Sequence, residues 1–171
     1  SHDLNKPGQY RDNEKEQVRT FVGINQYRPP KCIDDIIMLM SAYCDFWQQI
    51  DTQGIDPIYK APIIHFYYEL IHPFFDGNGR VGRILEFISL GTSGYTLLPF
   101  KMNGYYLENE AKYFELFDTC RLNIKNKVAY PLTPFIEFFL YGFIEAAKEA
   151  NKELLSYITH LEKETREANY I

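Results

Sequence analysis

Cysteine, cationic charge and long apolar runs are all in short supply in this sequence of 171 residues, and each shortage removes a class of function. The cysteines are Cys32, Cys44 and Cys120, an odd set without C-x-x-C spacing. They supply neither a disulfide framework nor a zinc site, and they suit a reducing compartment, so the cytoplasm is the expected location. Lysine and arginine total 18 against 23 aspartates and glutamates, a net charge of −5. No polybasic arm or basic stripe is present to grip nucleic acid. Any phosphate must therefore be held by a local arrangement rather than by the field of the whole molecule. No apolar run approaches the length that spans a bilayer, so no membrane partner is expected. The polar start from Ser1 to Tyr10 lacks the apolar segment of a secretory signal. Ser1-His2 reads as the remnant of an expression tag, which would put residue 1 inside a longer protein.

What the chain has in quantity is aromatic rings: 14 tyrosines, 13 phenylalanines and one tryptophan. With 46% hydrophobic and 24% charged residues, the length fits one domain able to bury a real core. The apolar pattern is helical throughout. Ile33, Ile36, Ile37, Met40, Tyr43, Cys44, Trp47 and Ile50 repeat at three and four, which predicts a helix ending before Gly54. A second helix is expected after Pro62, through Ile63, Ile64, Tyr67, Leu70 and Ile71, until Pro73 stops it. A third runs from Arg80 to Leu90. A fourth is expected from about Leu107 to Leu122, with Tyr113, Phe114, Leu116 and Phe117 turned inward. Pro131 and Pro134 introduce a fifth, Phe135 to Ala147. The tail from Asn151 is charged, with a stripe of Leu154, Leu155, Ile158 and Leu161. No strand-like alternation persists, so the expected class is all-α. Residues 1–150 read as one domain and 151–171 as an amphipathic helix leading towards a domain not contained here.

Chemistry concentrates between the second and third helices, in His72-Pro73-Phe74-Phe75-Asp76-Gly77-Asn78-Gly79-Arg80-Val81-Gly82-Arg83. This is a helix end, a glycine-rich turn and a helix start carrying two cations. Gly77 and Gly79 allow positive φ and leave no side chain in the way, so backbone N–H groups can converge on an anion. The next helix adds its unpaired N–H groups and the positive end of its dipole. Arg80 and Arg83, three apart, project from one side of that first turn and supply two guanidinium forks. Asp76 offers a carboxylate where Mg²⁺ wants one protein oxygen beside phosphate oxygens. His72 is a base that titrates near neutrality. Together these are the parts of phosphoryl or nucleotidyl transfer. A turn or a surface arginine alone would be unremarked. Eight fixed positions in twelve residues coincide by chance with a probability on the order of 10⁻¹⁰.

The segment resembles the Fic family signature H-x-F-x-[D/E]-G-N-G-R-x-x-R at every fixed position. Pro7-Gly8-Gln9-Tyr10-Arg11 is similar to that family's lead-in, and Val22-Gly23 followed by Pro29-Pro30 to its flap and flap exit. Tyr113-Phe114 with Leu116 resembles its nucleotide-pocket helix, and Phe138-Phe139-Leu140 its closing helix. The resemblance implies an all-α, Fic-type helical core with a short flap, about residues 23–30, before the first long helix. It further implies transfer of AMP from Mg²⁺-ATP to a Ser, Thr or Tyr hydroxyl of a target protein or of the chain itself. His72 would be the general base and Asp76 the Mg²⁺ ligand. Gly77, Asn78 and Gly79 would hold phosphate oxygens, Arg80 the β-phosphate and Arg83 the γ-phosphate. Tyr113 and Leu116 would line the adenine. A target protein would dock at the flap by strand addition, with Ile24 and Tyr27 exposed to it.

Other outcomes stay open at this level. Some relatives transfer phosphate or phosphocholine, or remove AMP, with the same fold; the intact Gly77-Asn78-Gly79 turn favours AMP. A silent nucleotide-binding docking module is the reading from another class. The family's inhibitory helix, [S/T]-x-x-x-E-[G/N], has its nearest match at Thr133 to Glu137, where Phe138 breaks it. That helix is then expected in an upstream segment, with a separate antitoxin chain, or no brake at all, as the alternatives. An upstream brake would make this length of chain more active than a longer one. The aromatic surface would also permit a homodimer.

Overall fold

The computed structural model describes residues 2–24, 27–92, 94–95, 97–122 and 131–168. Among them run six α-helices: α1 (Ile33–Thr52), α2 (Pro57–Ile71), α3 (Asn78–Gly91), α4 (Leu98–Glu108), α5 (Glu110–Leu122) and α6 (Thr133–Ala168). The all-α expectation holds. The one ladder contact among the described residues is an antiparallel bridge between Val22 and Tyr27, at the base of the expected flap. Asn25 and Gln26 of that flap lie outside the described residues. Among the described residues no helix is long and apolar enough to cross a membrane.

The centre of the molecule is α2. Ten of its residues are buried, among them Ile64, His65, Phe66, Glu69 and Leu70, because neighbours cover it on every side. On one side Ile36, Tyr43 and Ile50 of α1, each seven residues apart, meet Ile64, Tyr68 and Ile71. On the other, Phe66 stacks on Phe117 at 5.3 Å and meets Phe135 edge-on at 5.2 Å, so α5 and α6 close over it. The helix starts at Pro57, six residues before the expected start at Ile63. Asp56 caps it by accepting the Ile58 N–H at 2.9 Å, and Pro57 occupies the first turn, where its missing N–H costs nothing. Pro62 lies inside rather than at the start.

Three further expectations are corrected. The fourth predicted helix is α5, which starts at Glu110; Leu107 and Glu108 end a separate helix, α4, divided from it at Asn109, whose side chain donates to the Tyr105 carbonyl at 2.9 Å and whose φ of −116° breaks the ladder. Phe114, expected inside, is 39% exposed, whereas Tyr113, Leu116 and Phe117 are buried. The fifth helix does not stop near Ala147. It crosses residue 150 unbroken as α6, whose 36 residues span roughly 54 Å. Its first half buries Phe135, Phe138, Phe139, Phe143 and Ala146, while Leu154, Leu155, Ile158 and Leu161 in the second half stay exposed.

The C-terminal end of α2 is fixed from a distance by the lead-in. Arg11 is 1% exposed, and its guanidinium donates to the carbonyls of His72 and Ile71, the latter at 3.1 Å. Its backbone N–H donates to Pro73 O at 2.9 Å. A cation here satisfies carbonyls that the helix leaves open and sits at the negative end of its dipole. Burial pushes the guanidinium down to about 10, against an opposing pull from Tyr27, so it keeps its charge at neutral pH. Its remaining fork holds Asn13, whose amide donates to Val18 O at 3.1 Å and Thr20 Oγ1 at 2.8 Å. One buried cation thus joins α2 to the base of the flap. Arg11→Ala should cost about 3 kcal/mol or more in urea unfolding, because several buried acceptors lose their donor; a cost under about 1 kcal/mol would contradict this.

Candidate active site

His72 stands just past the last turn of α2 with φ 51° and ψ 60°, a left-handed conformation that a non-glycine residue adopts at a cost of about 1–2 kcal/mol. Three things hold it there. Its N–H donates to Tyr68 O at 2.9 Å, Arg11 takes its carbonyl, and Pro73 prevents the helix from continuing. The side chain is 16% exposed, and its Nδ1 stands 3.2 Å from Glu69 Oε2, an ion-pair distance without hydrogen-bond alignment. Ring and carboxylate are neighbours because they lie three residues apart.

The turn that follows is built from inside and outside. Gly77 has φ 90° and caps α3 without a side chain, so the first N–H groups of α3 have no side-chain cap. Asn78 is 2% exposed and spends both ends of its amide on the backbone of one residue, accepting from Phe74 N at 3.0 Å and donating to Phe74 O at 2.8 Å. In this conformation the side chain expected to hold phosphate instead holds the loop, and its contribution to an anion is left to its backbone N–H. Asn5, which carried no signal in the sequence, braces the turn from outside. It donates to Asp76 O and accepts from Phe75 N, both at 3.1 Å. Asp76 Oδ1 accepts the Gly77 N–H at 2.8 Å, and Arg80 Nη2 lies 3.7 Å from Oδ2 with its side chain 67% exposed.

Under α3 lies a layer of buried polar groups. Glu86 Oε1 receives His65 Nδ1 at 2.6 Å and the Tyr106 hydroxyl at 2.6 Å. His65 Nε2 meets the Tyr113 hydroxyl at 3.0 Å. With the carboxylate as acceptor, the His65 proton belongs on Nδ1, and Tyr113 donates to Nε2. Burial, with Glu86 beside it, pushes the Tyr106 hydroxyl well up; burial, with Glu69 and Glu86 nearby, does the same to Tyr113. Gly82 has to be glycine, since a Cβ there would lie 2.4 Å from His65 Cδ2. Glu69 completes the layer. It is 4% exposed, with Oε1 lacking a hydrogen-bond partner, 3.9 Å from where a Cβ on Gly79 would lie. Arg83 Nη1 is 3.6 Å from the same point, and its guanidinium lies 5.9 Å from the Tyr106 ring centroid. One buried carboxylate therefore touches His72 on one side and underlies the first turn of α3 on the other.

Two hollows open on this arrangement. One of about 350 Å³ is lined by Val18, Arg19, Thr20, Phe21, His72 and Phe75. The other, about 420 Å³, lies between α3 and α4, against Arg80, Arg83, Phe87, Phe100, Asn103 and Tyr106. Tyr113 and Leu116, expected against the adenine, line neither: they are 4% and 2% exposed within the aromatic core. The hollow between α3 and α4 is lined instead by Phe100, Asn103 and Tyr106 of α4, a helix the sequence pattern did not reveal. As for Mg²⁺, no group of three or more His, Cys, Asp or Glu side chains converges among the described residues. Asp76 alone suits a hard cation that draws its other oxygens from phosphates and water.

A Fic/DOC family model matches residues 2–90, from the lead-in to the end of α3. Protein adenylyltransferase fic-1 of Caenorhabditis briggsae is 27% identical over 131 residues, which are 75% of this chain and 22% of that protein. A probable protein adenylyltransferase of Aquifex aeolicus is 35% identical over 92 residues, 52% of this chain and 29% of that one. This chain thus spans under a third of the length of these relatives. The crystal structure of a Fic family protein from Desulfovibrio desulfuricans superposes with a TM-score of 0.67 at 25% identity, over 88% of this chain and 42% of that one. The lead-in that clamps α2, the turn braced before α3 and the helices packed around them belong to one shared architecture, and this chain is a member of the Fic/DOC family.

Proposed function

We propose that this chain transfers AMP from Mg²⁺-ATP to a hydroxyl side chain of a target protein or of itself, releasing pyrophosphate. The observation that carries the reading is the position of Glu69, which brings His72 and the anion-binding turn against one buried carboxylate. The triphosphate would lie across the N-terminus of α3, on the backbone N–H groups of Gly77, Asn78 and Gly79, with Arg80 and Arg83 on its β- and γ-phosphates. Asp76 would hold Mg²⁺, which supplies neutralisation of phosphate charge when bound. The base would enter the hollow between α3 and α4, against Phe87, Phe100 and Tyr106, rather than Tyr113 and Leu116.

The target hydroxyl would reach His72 through the other hollow, presented by a segment laid along the flap. With Nδ1 facing Glu69, Nε2 is the atom that takes the hydroxyl proton. The freed oxygen forms a bond to the α-phosphorus as the bond from that phosphorus to the bridging oxygen breaks, and pyrophosphate leaves with the electron pair. Glu69 is a positioning residue here: it keeps the ring turned with Nε2 outward. The adenylyltransferase names of the relatives and the unaltered glycine turn both favour AMP over phosphate as the group moved.

Incubation with α-³²P-ATP and Mg²⁺ should label the chain or a target band, and His72→Ala should abolish the label while ATP still binds. Label seen only from γ-³²P-ATP would overturn AMP transfer. Glu69→Ala should lower kcat by about tenfold or more with KM for ATP within about twofold, and Glu69→Asp should restore part of the rate. A matching loss in the Asp variant, or a rise in KM alone, would remove Glu69 from the positioning role.

A further inference from the structure

The hollow at His72 does not end there. It shares Val18, Arg19 and Thr20 with a second hollow of about 300 Å³, whose wall adds Arg28 and Lys31. Arg19, Arg28 and Lys31 are all exposed. Some exposed cations elsewhere in the fold find acids: Lys112 pairs with Glu115 at 3.1 Å and Lys148 with Glu145 at 2.7 Å. Among the described residues none of the three does so; Arg28 rests on the Phe21 ring at 5.9 Å instead. The local acids are fewer or occupied. Glu14 is the one carboxylate in that wall, Glu16 pairs with Lys6 at 3.5 Å, and Asp12 accepts the Lys15 N–H at 3.0 Å. A chain of net charge −5 therefore keeps three unpaired cations along the path that leads to its base.

Resting on the transfer reading, we infer that the segment presented to His72 is acidic beside its hydroxyl, its carboxylates meeting Arg19, Arg28 and Lys31. Long-range attraction would be weak, because the molecule as a whole repels an acidic partner. The three cations act at contact, and they set which segment is accepted more than how fast it arrives. A hydroxyl flanked by lysines would meet like charge on the same wall and be refused.

The test offers the full chain three alanine-based peptides, each containing serine, threonine and tyrosine, and flanked by glutamates, alanines or lysines. With α-³²P-ATP and Mg²⁺, kcat/KM should be about tenfold higher for the glutamate peptide than for the alanine peptide, and the advantage should shrink with added salt. Arg28→Glu combined with Lys31→Glu should move the preference to the lysine peptide, with an unchanged melting temperature showing that the variant is folded. Equal labelling of the three peptides, or a glutamate preference that survives the double variant, overturns the acidic class and leaves AMP transfer standing. Absence of label from every peptide and from the chain itself overturns both.

Discussion

Everything at this site depends on the plug that Arg11 makes in the end of α2. A helix buried along most of its length leaves carbonyls at its C-terminus where water cannot serve them, and the guanidinium serves two while the Arg11 backbone N–H serves a third nearby. The same side chain holds Asn13, and through it the strand that becomes the flap. The left-handed His72, the turn behind it and the surface that would receive a target are thereby referred to one point. Strain at His72 persists because this point over-determines it.

A second constraint is the polar layer between α2 and α3. Apolar packing there would be cheaper, since Glu69, Glu86, His65 and two tyrosine hydroxyls must all be removed from water. The layer gives direction in return. The chain Tyr106–Glu86–His65–Tyr113 has one arrangement of donors and acceptors, so α3, α4 and α5 are fixed in register against α2. Glu69, with an oxygen unmatched, is the member of the layer that faces the site.

Much of this was legible in the sequence, for reasons that differ by residue. The motif from His72 to Arg83 is local, so its turn and helix start could be read from spacing alone, and the structure sets the same residues around α3's N-terminus. The role of Arg11 could not be read so, because its partners lie sixty residues away in the chain. Helix α4 escaped notice because only Met102 and Tyr106 are buried in it and Gly104 reads as a turn. Tyr113 and Leu116 came to the adenine by resemblance alone, and their helical spacing fits a core face equally well, which is where they are buried. Asn78 shows the same ambiguity within the motif, since an amide suited to phosphate oxygens suits a peptide group too. At residue 150 the composition changes from aromatic to charged, which alters what α6 faces without ending it.

In AMP transfer as proposed, the first turn of α3 would cradle a triphosphate with its α-phosphorus towards His72. A crystal structure with Mg²⁺ and a nucleotide whose α–β bridging oxygen is replaced by methylene tests it most directly. The phosphates should lie on the N–H groups of residues 77–79 and the adenine between α3 and α4, with an open line from His72 Nε2 to the α-phosphorus. A nucleotide bound the other way round, with its γ-phosphate towards His72, or bound away from α3, would contradict it.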